Sequence, residues 1–139
     1  MKDLIEKYAQ VIHNPALNNL EITLQGFIAY DTMVSLFQYE YAMIRHYKIQ
    51  HCTVDLKKMG VYAPGVSELV QNKWFSQIAS EGIRCVAFVV PENVFGEISM
   101  NKAHEGVKPA GGLQIKYFRT LQSAQQWVGQ MAAAEETAE

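Results

Sequence analysis

The residues best placed for chemistry are an acid and two bases at the end of a strand-like run. The run from His51 to Leu56 alternates apolar and more polar residues, which predicts a strand with Asp55 at its carboxyl end and Lys57 and Lys58 in the loop that follows. Open α/β sheets bind ligands at this edge. A lone carboxylate can equally hydrogen-bond the backbone of its loop, and this is the role we favour for Asp55.

No other combination of residue types reaches the level of a catalytic or metal-binding motif. Four histidines fall in four different predicted elements, with no i, i+4 pair and no Cys-x-x-Cys sequence beside them. They are His13, His46, His51 and His104. Cys52 points to the apolar side of its strand, where a thiolate is disfavoured, and Gly111-Gly112 is typical of a turn before a strand. We therefore expect no catalytic residue, no metal, no cofactor and no enzymatic activity.

The elements that position these residues are arranged around one apolar run. Ile83 to Val90 is β-branched and aromatic-rich, lies between Gly82 and Pro91, and is too short for a helix. An unbroken apolar run of this kind is typical of a parallel strand buried on both faces. It is predicted to be the central strand of a sheet.

The N-terminal half supplies a hairpin and a helix. Tyr8 to His13 and Leu20 to Gln25 flank a cluster of turn formers, which predicts an antiparallel hairpin. From Asp31, apolar residues recur every three or four positions and predict a helix of about five turns. Its predicted apolar face is Met33, Leu36, Phe37, Glu40/Tyr41, Ile44 and Tyr47.

Three more helices and one more strand follow. A helix with Trp74 on its core face begins near Pro64 and ends at Gly82. The next helix is predicted to turn Val94, Phe95 and Ile98 inward. This helix is predicted over Glu92 to Lys102. It is followed by a loop over His104 to Gly112, a strand over Leu113 to Phe118, and a helix capped by Thr120 whose apolar face ends at Met131.

The resulting order, β-β-α-β-α-β-α-β-α, defines the expected fold class. It is a single α/β domain with a mixed five-stranded sheet, in which an N-terminal antiparallel hairpin precedes parallel βα units and the helices lie mainly on one face. We assign residues 1–131 to this domain and 132–139 to a frayed acidic tail.

The composition of the chain limits the classes of partner and the cellular location that we expect. The 139 residues are 49% hydrophobic and carry a formal charge of -2, which supports a packed core and gives no reason to expect nucleic acid. The start lacks the apolar core of a signal peptide, and no run is long enough to span a membrane. Cys52 and Cys85 are expected to be reduced, which favours a cytoplasmic location.

Several stretches together resemble one family. They are Val54-Asp55-Leu56 with Lys57-Lys58-Met59, the helix with Trp74, Gly82 to Pro91, Tyr117-Phe118, and Ala124-Gln125-Gln126-Trp127. In pattern and order they are similar to the bacterial STAS-like family related to anti-sigma-factor antagonists, in particular its divergent STAS/CRAL-TRIO-like branch. The similarity covers roughly Tyr8 to Met131.

The resemblance implies a regulatory module that docks an unknown protein partner; the alternative is a small-ligand or lipid-binding protein of CRAL-TRIO type, holding a small apolar ligand. In the antagonists an Asp-Ser-Ser-Gly motif after this strand carries a phosphorylated serine. An ungapped comparison places Ala63-Pro64-Gly65-Val66 on that motif, and no hydroxyl stands there. Ser67 is the nearest serine but is offset.

Two further expectations concern surfaces. The predicted docking site is the segment after the first parallel strand; its residues are Asp55, Lys57, Lys58, Tyr62, Pro64, Gly65 and Ser67. The second expectation is a homodimer. If helices cover only one side of the sheet, one apolar side of the central strand must face outward, and an exposed apolar patch usually has a partner.

Overall fold

The computed structural model describes residues 1–108 and 111–138, and within them the chain forms one six-stranded sheet with helices on both faces. The strands are β1 (Leu4–Ile5), β2 (Ala9–Asn14), β3 (Asn19–Leu24), β4 (His51–Asp55), β5 (Cys85–Val89) and β6 (Gln114–Phe118). The helices are α1 (Tyr30–Tyr47), α2 (Val66–Leu69), α3 (Phe75–Ser80), α4 (Val94–His104) and α5 (Leu121–Ala138), with a π-helical turn over Val70–Trp74 between α2 and α3.

The spatial order of the strands is the order of the chain, β1 to β6. The first three strands pair antiparallel, and β3 to β6 pair parallel. The mixed sheet, the N-terminal hairpin and the parallel βα units are therefore confirmed. The number of strands was predicted wrongly as five, because β1 has only two residues and such a length shows no alternation.

The faces that the helices cover follow from this order. Parallel strands in one sheet are joined by right-handed crossovers. Each successive strand from β3 to β6 is added on the same side, so the crossovers place α1, the α2–α3 segment and α4 on one face. Helix α5 follows the last strand, is not a crossover, and packs on the other face against β4, β5 and β6.

Strand β5 is buried on both sides, as its apolar sequence predicts. Val86 and Phe88 belong to the large core under α1, whereas Ala87 and Val89 pack with Ala124 and Val128 of α5. The outward-facing apolar surface on which the homodimer was predicted is therefore covered. The oligomeric state remains an untested prediction.

Three helices differ from their predicted form. The helix expected from Pro64 begins at Val66, and a π-helical turn over Val70–Trp74 interrupts it. Helix α5 begins after Thr120, whose Oγ1 accepts a hydrogen bond from Ser123 N, as predicted. It continues to Ala138, so residues 132–138 are helical, and the last residue of the predicted tail, 139, lies outside the described residues.

The third difference is the orientation of α4. Val94, Phe95 and Ile98 were predicted to face the core, but all three are exposed. The buried face is Gly96, Met100 and Ala103 instead. A Cβ on Gly96 would lie 2.6 Å from the backbone oxygen of Met59, so this glycine allows the helix to approach the loop closely and sets its rotation.

Among the described residues, no helix combines the length and the apolarity that crossing a membrane requires.

Candidate functional site

The seven predicted site residues after β4 differ in exposure and in the groups that they contact. Asp55 Oδ1 accepts a hydrogen bond of 3.0 Å from the backbone N–H of Lys57, which is the loop-capping role favoured from the sequence. Lys57 Nζ lies 3.6 Å from Glu92 at the surface. Asp55, Lys57 and Lys58 line an open cleft of about 230 Å³ together with Thr23 and Gln25.

The other four residues lie toward the opposite end of the loop and differ in exposure. Pro64 and Gly65 are exposed, Ser67 is half-buried in the first turn of α2, and the side chain of Tyr62 faces an internal cavity. The backbone N–H of Tyr62 donates to Ser99 Oγ at 2.9 Å. Tyr62 was expected to be an amphipathic surface contact, and its position in the structure is largely interior.

A group of exposed apolar side chains occupies this end of the molecule. Six residues, each with between 41% and 66% of its surface exposed, lie on three segments: the link from β3 together with the first residue of α1, the loop after β4, and α4. They are Phe27, Tyr30, Val61, Val94, Phe95 and Ile98, and we call them the apolar rim.

Backbone contacts bring the three segments of the apolar rim together. Gly26 forms a parallel bridge with Met59, and the N–H of Gly60 donates to the carbonyl of Gly26 at 3.2 Å. Gly96 of α4 packs on the carbonyls of Met59 and Gly60, as described above. Large apolar side chains exposed on adjacent segments are typical of interaction surfaces. Three of the six were placed wrongly from the sequence, because Val94, Phe95 and Ile98 were expected to face the core.

A second group of functional interest lies inside the protein. Glu40 of α1 is 1% exposed, and its Oε1 accepts a hydrogen bond of 2.8 Å from the indole N–H of Trp74. Its Oε2 is buried and has no hydrogen-bond partner within the described part of the chain. The π-helical turn ends at Trp74, and such turns occur frequently at functional sites. The sequence placed Glu40 on the apolar face of its helix. An ionisable side chain at such a position was the feature that could have identified Glu40 as a candidate functional residue.

Burial determines the ionisation of this carboxyl group. Removal from water raises the pKa of Glu40 to about 8, and the hydrogen bond from Trp74 lowers it by a smaller amount. Glu40 is therefore predominantly a neutral carboxylic acid at pH 7. A neutral acid can donate a hydrogen bond as well as accept one.

His104, at the end of α4, is half-buried and is another ionisable residue near Glu40. Its Nδ1 lies 2.9 Å from the hydroxyl of Tyr117, and its ring lies 4.5 Å from that of Phe88. The buried Nε2 has no partner among the described residues. Burial lowers the pKa of His104 to about 4, so the imidazole is neutral at pH 7.

Glu40, Trp74 and His104 line the same internal cavity, which measures about 20 Å³. A cavity of this volume has room for about one water-sized group. The rest of its wall is aromatic and aliphatic: Ile22, Leu24, Phe37, Val54, Leu56, Tyr62, Val70 and Phe88.

The described residues contain no group of three or more histidine, cysteine, aspartate or glutamate side chains that could hold a metal ion. The two thiols are not activated either. Burial raises the pKa of Cys52 well above its ordinary value and that of Cys85 to about 12. A thiol must ionise to act as a nucleophile, and burial of this degree opposes ionisation.

Comparison with known proteins gives information about the fold. No protein-family model matches the chain, and no curated protein matches it. Among solved structures, the chain is similar to an uncharacterized protein from the DUF3478 family with a SpoIIAA-like fold, from Shewanella loihica PV-4. The match covers 79% of this chain and 83% of the Shewanella chain, with 11% sequence identity and a TM-score of 0.54. A structure described as Mglu matches 55% of this chain at 17% identity, with a TM-score of 0.44, and this chain spans 18% of its length.

The strand order and helix placement define a single α/β domain with a mixed sheet. Within that class the fold is SpoIIAA-like, that is, STAS-like. The resemblance to STAS-like proteins noted in the sequence is confirmed at the level of the fold.

Proposed function

We propose that the protein is a non-enzymatic regulatory module that docks a partner protein through the end of the sheet where the apolar rim lies. The observation that carries this proposal is the rim itself: six large apolar side chains are exposed on three segments that contact one another. Apolar and aromatic anchors at the centre of a surface patch supply most of the affinity in protein complexes. The STAS-like fold supports the same class of function.

Lys57 and Lys58, exposed on the loop after β4, are expected to orient the partner rather than to supply most of the affinity. Exposed charges at the edge of an interface chiefly change the rate of association. Residues 63–66 contain no serine or threonine, so docking should not depend on phosphorylation at the position of the antagonist motif.

The alternative of a lipid-binding protein is less well supported. Pockets that hold drug-sized or larger ligands have volumes of roughly 300–1,000 Å³, and the apolar cavity beside Glu40 measures about 20 Å³. A lipid would require a rearrangement of the core, whereas the apolar rim is exposed as it stands.

The test is an affinity capture with immobilised wild type and three variants, followed by identification and titration of the captured protein. Phe95→Ser with Ile98→Ser removes the centre of the rim on α4. Lys57→Glu with Lys58→Glu reverses the neighbouring charge. Ile5→Ser is the matched control, because Ile5 is equally exposed but lies on the edge strand β1.

We expect the rim variant to lose the partner by at least about tenfold in affinity, the charge variant to slow association, and the Ile5 variant to behave as wild type. Circular dichroism would verify that each variant is folded. A folded rim variant that holds the same partner at the same affinity as wild type would overturn the proposal. Tyr62 is left unchanged, because its side chain lies at the internal cavity and its removal would disturb the core.

A further inference from the structure

The wall of the internal cavity is apolar except for polar atoms of Glu40, Trp74 and His104, and two of these atoms lack a hydrogen-bond partner among the described residues. Glu40 Oε2 and His104 Nε2 are buried and lack hydrogen-bond partners within the described chain, and both residues line the cavity. A buried polar group without a partner costs about 1–3 kcal/mol. Two such atoms at one cavity that has room for a small group indicate that an occupant supplies the missing hydrogen bonds.

The hydrogen bond from Trp74 determines what Glu40 offers to that occupant. Because Oε1 accepts from the indole N–H, the proton of the neutral acid resides on Oε2. Oε2 is then a hydrogen-bond donor, and it requires an acceptor such as a hydroxyl or carbonyl oxygen. The Nε2 of His104 is a donor or an acceptor according to its tautomer, which depends on the proton between Nδ1 and the Tyr117 hydroxyl.

We propose that this cavity is a binding site for the hydroxyl or carbonyl oxygen of a small uncharged molecule, with Glu40 as the hydrogen-bond donor and His104 as the second polar contact. The site is separate from the apolar rim, so it does not depend on the function proposed above.

The charge of the lining selects for an uncharged occupant. No lysine or arginine lines the cavity. The titratable groups that interact with Glu40 are Tyr41 on the same helix, Cys52 on β4 and Tyr62 in the loop; burial raises the pKa of all three, and each stays neutral at pH 7. His104, from α4, is neutral above its lowered pKa. An ionic ligand would be desolvated in this cavity without a charged partner.

Size and exposure determine how much of the ligand is enclosed. The cavity of about 20 Å³ accepts one oxygen-sized group. All its lining residues are buried except Tyr62 and His104, which are half-buried and form its outer wall. The carbon chain of a short alcohol or ketone would therefore extend out of the cavity, past one of these two half-buried side chains.

The indole N–H of Trp74 provides a direct reporter, because it bonds the carboxyl group that would hold the ligand. Trp127→Phe removes the other tryptophan and leaves a single indole N–H resonance. In this background the chain is titrated with 1-butanol, butanone, butylammonium and butyrate at pH 6.5, and the proton and nitrogen shifts of Trp74 are followed. We expect saturable shifts with 1-butanol and butanone, and none with the two ions.

Two substitutions of Glu40 and one control test its role. Glu40→Gln keeps an oxygen to accept from Trp74 and an N–H to donate, so it should bind the alcohol within about threefold of wild type. Glu40→Leu removes the donor and should weaken binding at least about tenfold. Val128→Ala, in the separate core under α5, is the control for a general loss of packing and should not change binding.

The pH dependence gives a test that needs no substitution. Affinity for butanone, whose oxygen can only accept, should be constant between pH 5 and the pKa of Glu40 at about 8, and should fall about tenfold per pH unit above it, because the carboxylate no longer donates. Absence of a saturable shift with either uncharged probe would mean that water alone fills the cavity, and would overturn the proposal. Binding of butylammonium that strengthens with pH and is lost in Glu40→Gln would overturn it as well, since the site would then hold a cation.

Discussion

Glu40 and His104 are the two residues whose burial should be visible in the stability of the whole chain. The pKa of Glu40 is raised from 4.5 to about 8, so between these values the folded state holds a proton that the unfolded state has released. The pKa of His104 is lowered from 6.5 to about 4, so between these values the unfolded state holds the extra proton. The first effect makes stability fall as pH rises, and the second makes it rise.

The two effects overlap below pH 6.5 and separate above it. From about pH 4.5 to 6.5 the slopes oppose each other, whereas from pH 6.5 to 8 only Glu40 contributes. We expect the free energy of unfolding to change little in the lower range and to fall by up to about 1.4 kcal/mol per pH unit in the upper one. Urea unfolding at half-unit pH intervals measures both ranges.

Glu40→Gln is the matched variant for this profile. The amide cannot ionise, so the decline between pH 6.5 and 8 should disappear, while the rise between pH 4 and 6.5 due to His104 should become visible. An unchanged decline in the variant would show that another group is responsible.

The two cysteines lead to a further prediction at the scale of residues. Cys52 lies in the core under α1, and Cys85, two residues before Ala87, shares the opposite side of the sheet. Both are free and buried. A thiol reagent should therefore react with neither in the folded protein at pH 8, and with both after unfolding without reductant. Fewer than two reactive thiols in the unfolded protein would contradict the prediction that both are reduced.

At the scale of elements, α4 and α5 offer a pair of helical glycines with opposite expected effects. A Cβ at Gly96 would lie 2.6 Å from the Met59 carbonyl oxygen, whereas one at Gly129 meets no atom within 4 Å. Gly96→Ala should destabilise the protein by about 1–3 kcal/mol because the loop backbone must move. Gly129→Ala should stabilise it by about 0.5–1 kcal/mol through the helix backbone. Urea unfolding of both variants gives the comparison.

The second prediction at the scale of elements concerns the contact between α5 and the start of β4. His51 Nδ1 faces the carbonyls of Leu17 and Asn18, and its Nε2 lies 2.8 Å from Glu135 Oε2, so a proton must lie between these two atoms. Glu135→Ala should cost about 1 kcal/mol, reduced by the partial exposure of the carboxylate, and speed amide exchange at the end of α5. Glu135→Gln can still donate to Nε2 and should keep the exchange slow.

The predictability of these elements depended on the length of their patterns. Strands β3, β4 and β6 and helix α1 were found because alternation or a three-to-four spacing runs through each of them, and β5 was found because its apolar run is unbroken. Helix α4 was found but rotated wrongly, because Gly96 has no side chain to count as apolar and its close packing on Met59 depends on tertiary structure. The internal cavity could not be predicted, since Glu40, Trp74 and His104 meet only after the helices pack on the sheet.

For the molecule as a whole, the second face of the sheet is where the prediction from the sequence was incomplete. Polar positions in the outer strands indicated helices mainly on one face, and this holds for every helix except α5. Because α5 covers Ala87 and Val89, the exposed apolar surface expected there does not exist. The apolar rim is exposed, although sequence periodicity assigned three of its residues to the interior.

The spatial order of the strands, which is their order in the chain, affects how the protein can fold during its synthesis on the ribosome. From β2 onward, every strand pairs with the one that precedes it in the chain, so no segment must be inserted between two strands that have already paired. During translation, each segment that leaves the ribosome can therefore dock on an edge that is already present. Helix α5 is synthesised last. Until it leaves the ribosome, the apolar face of β5 that it will cover is exposed, and proteins that bind nascent chains can contact this face.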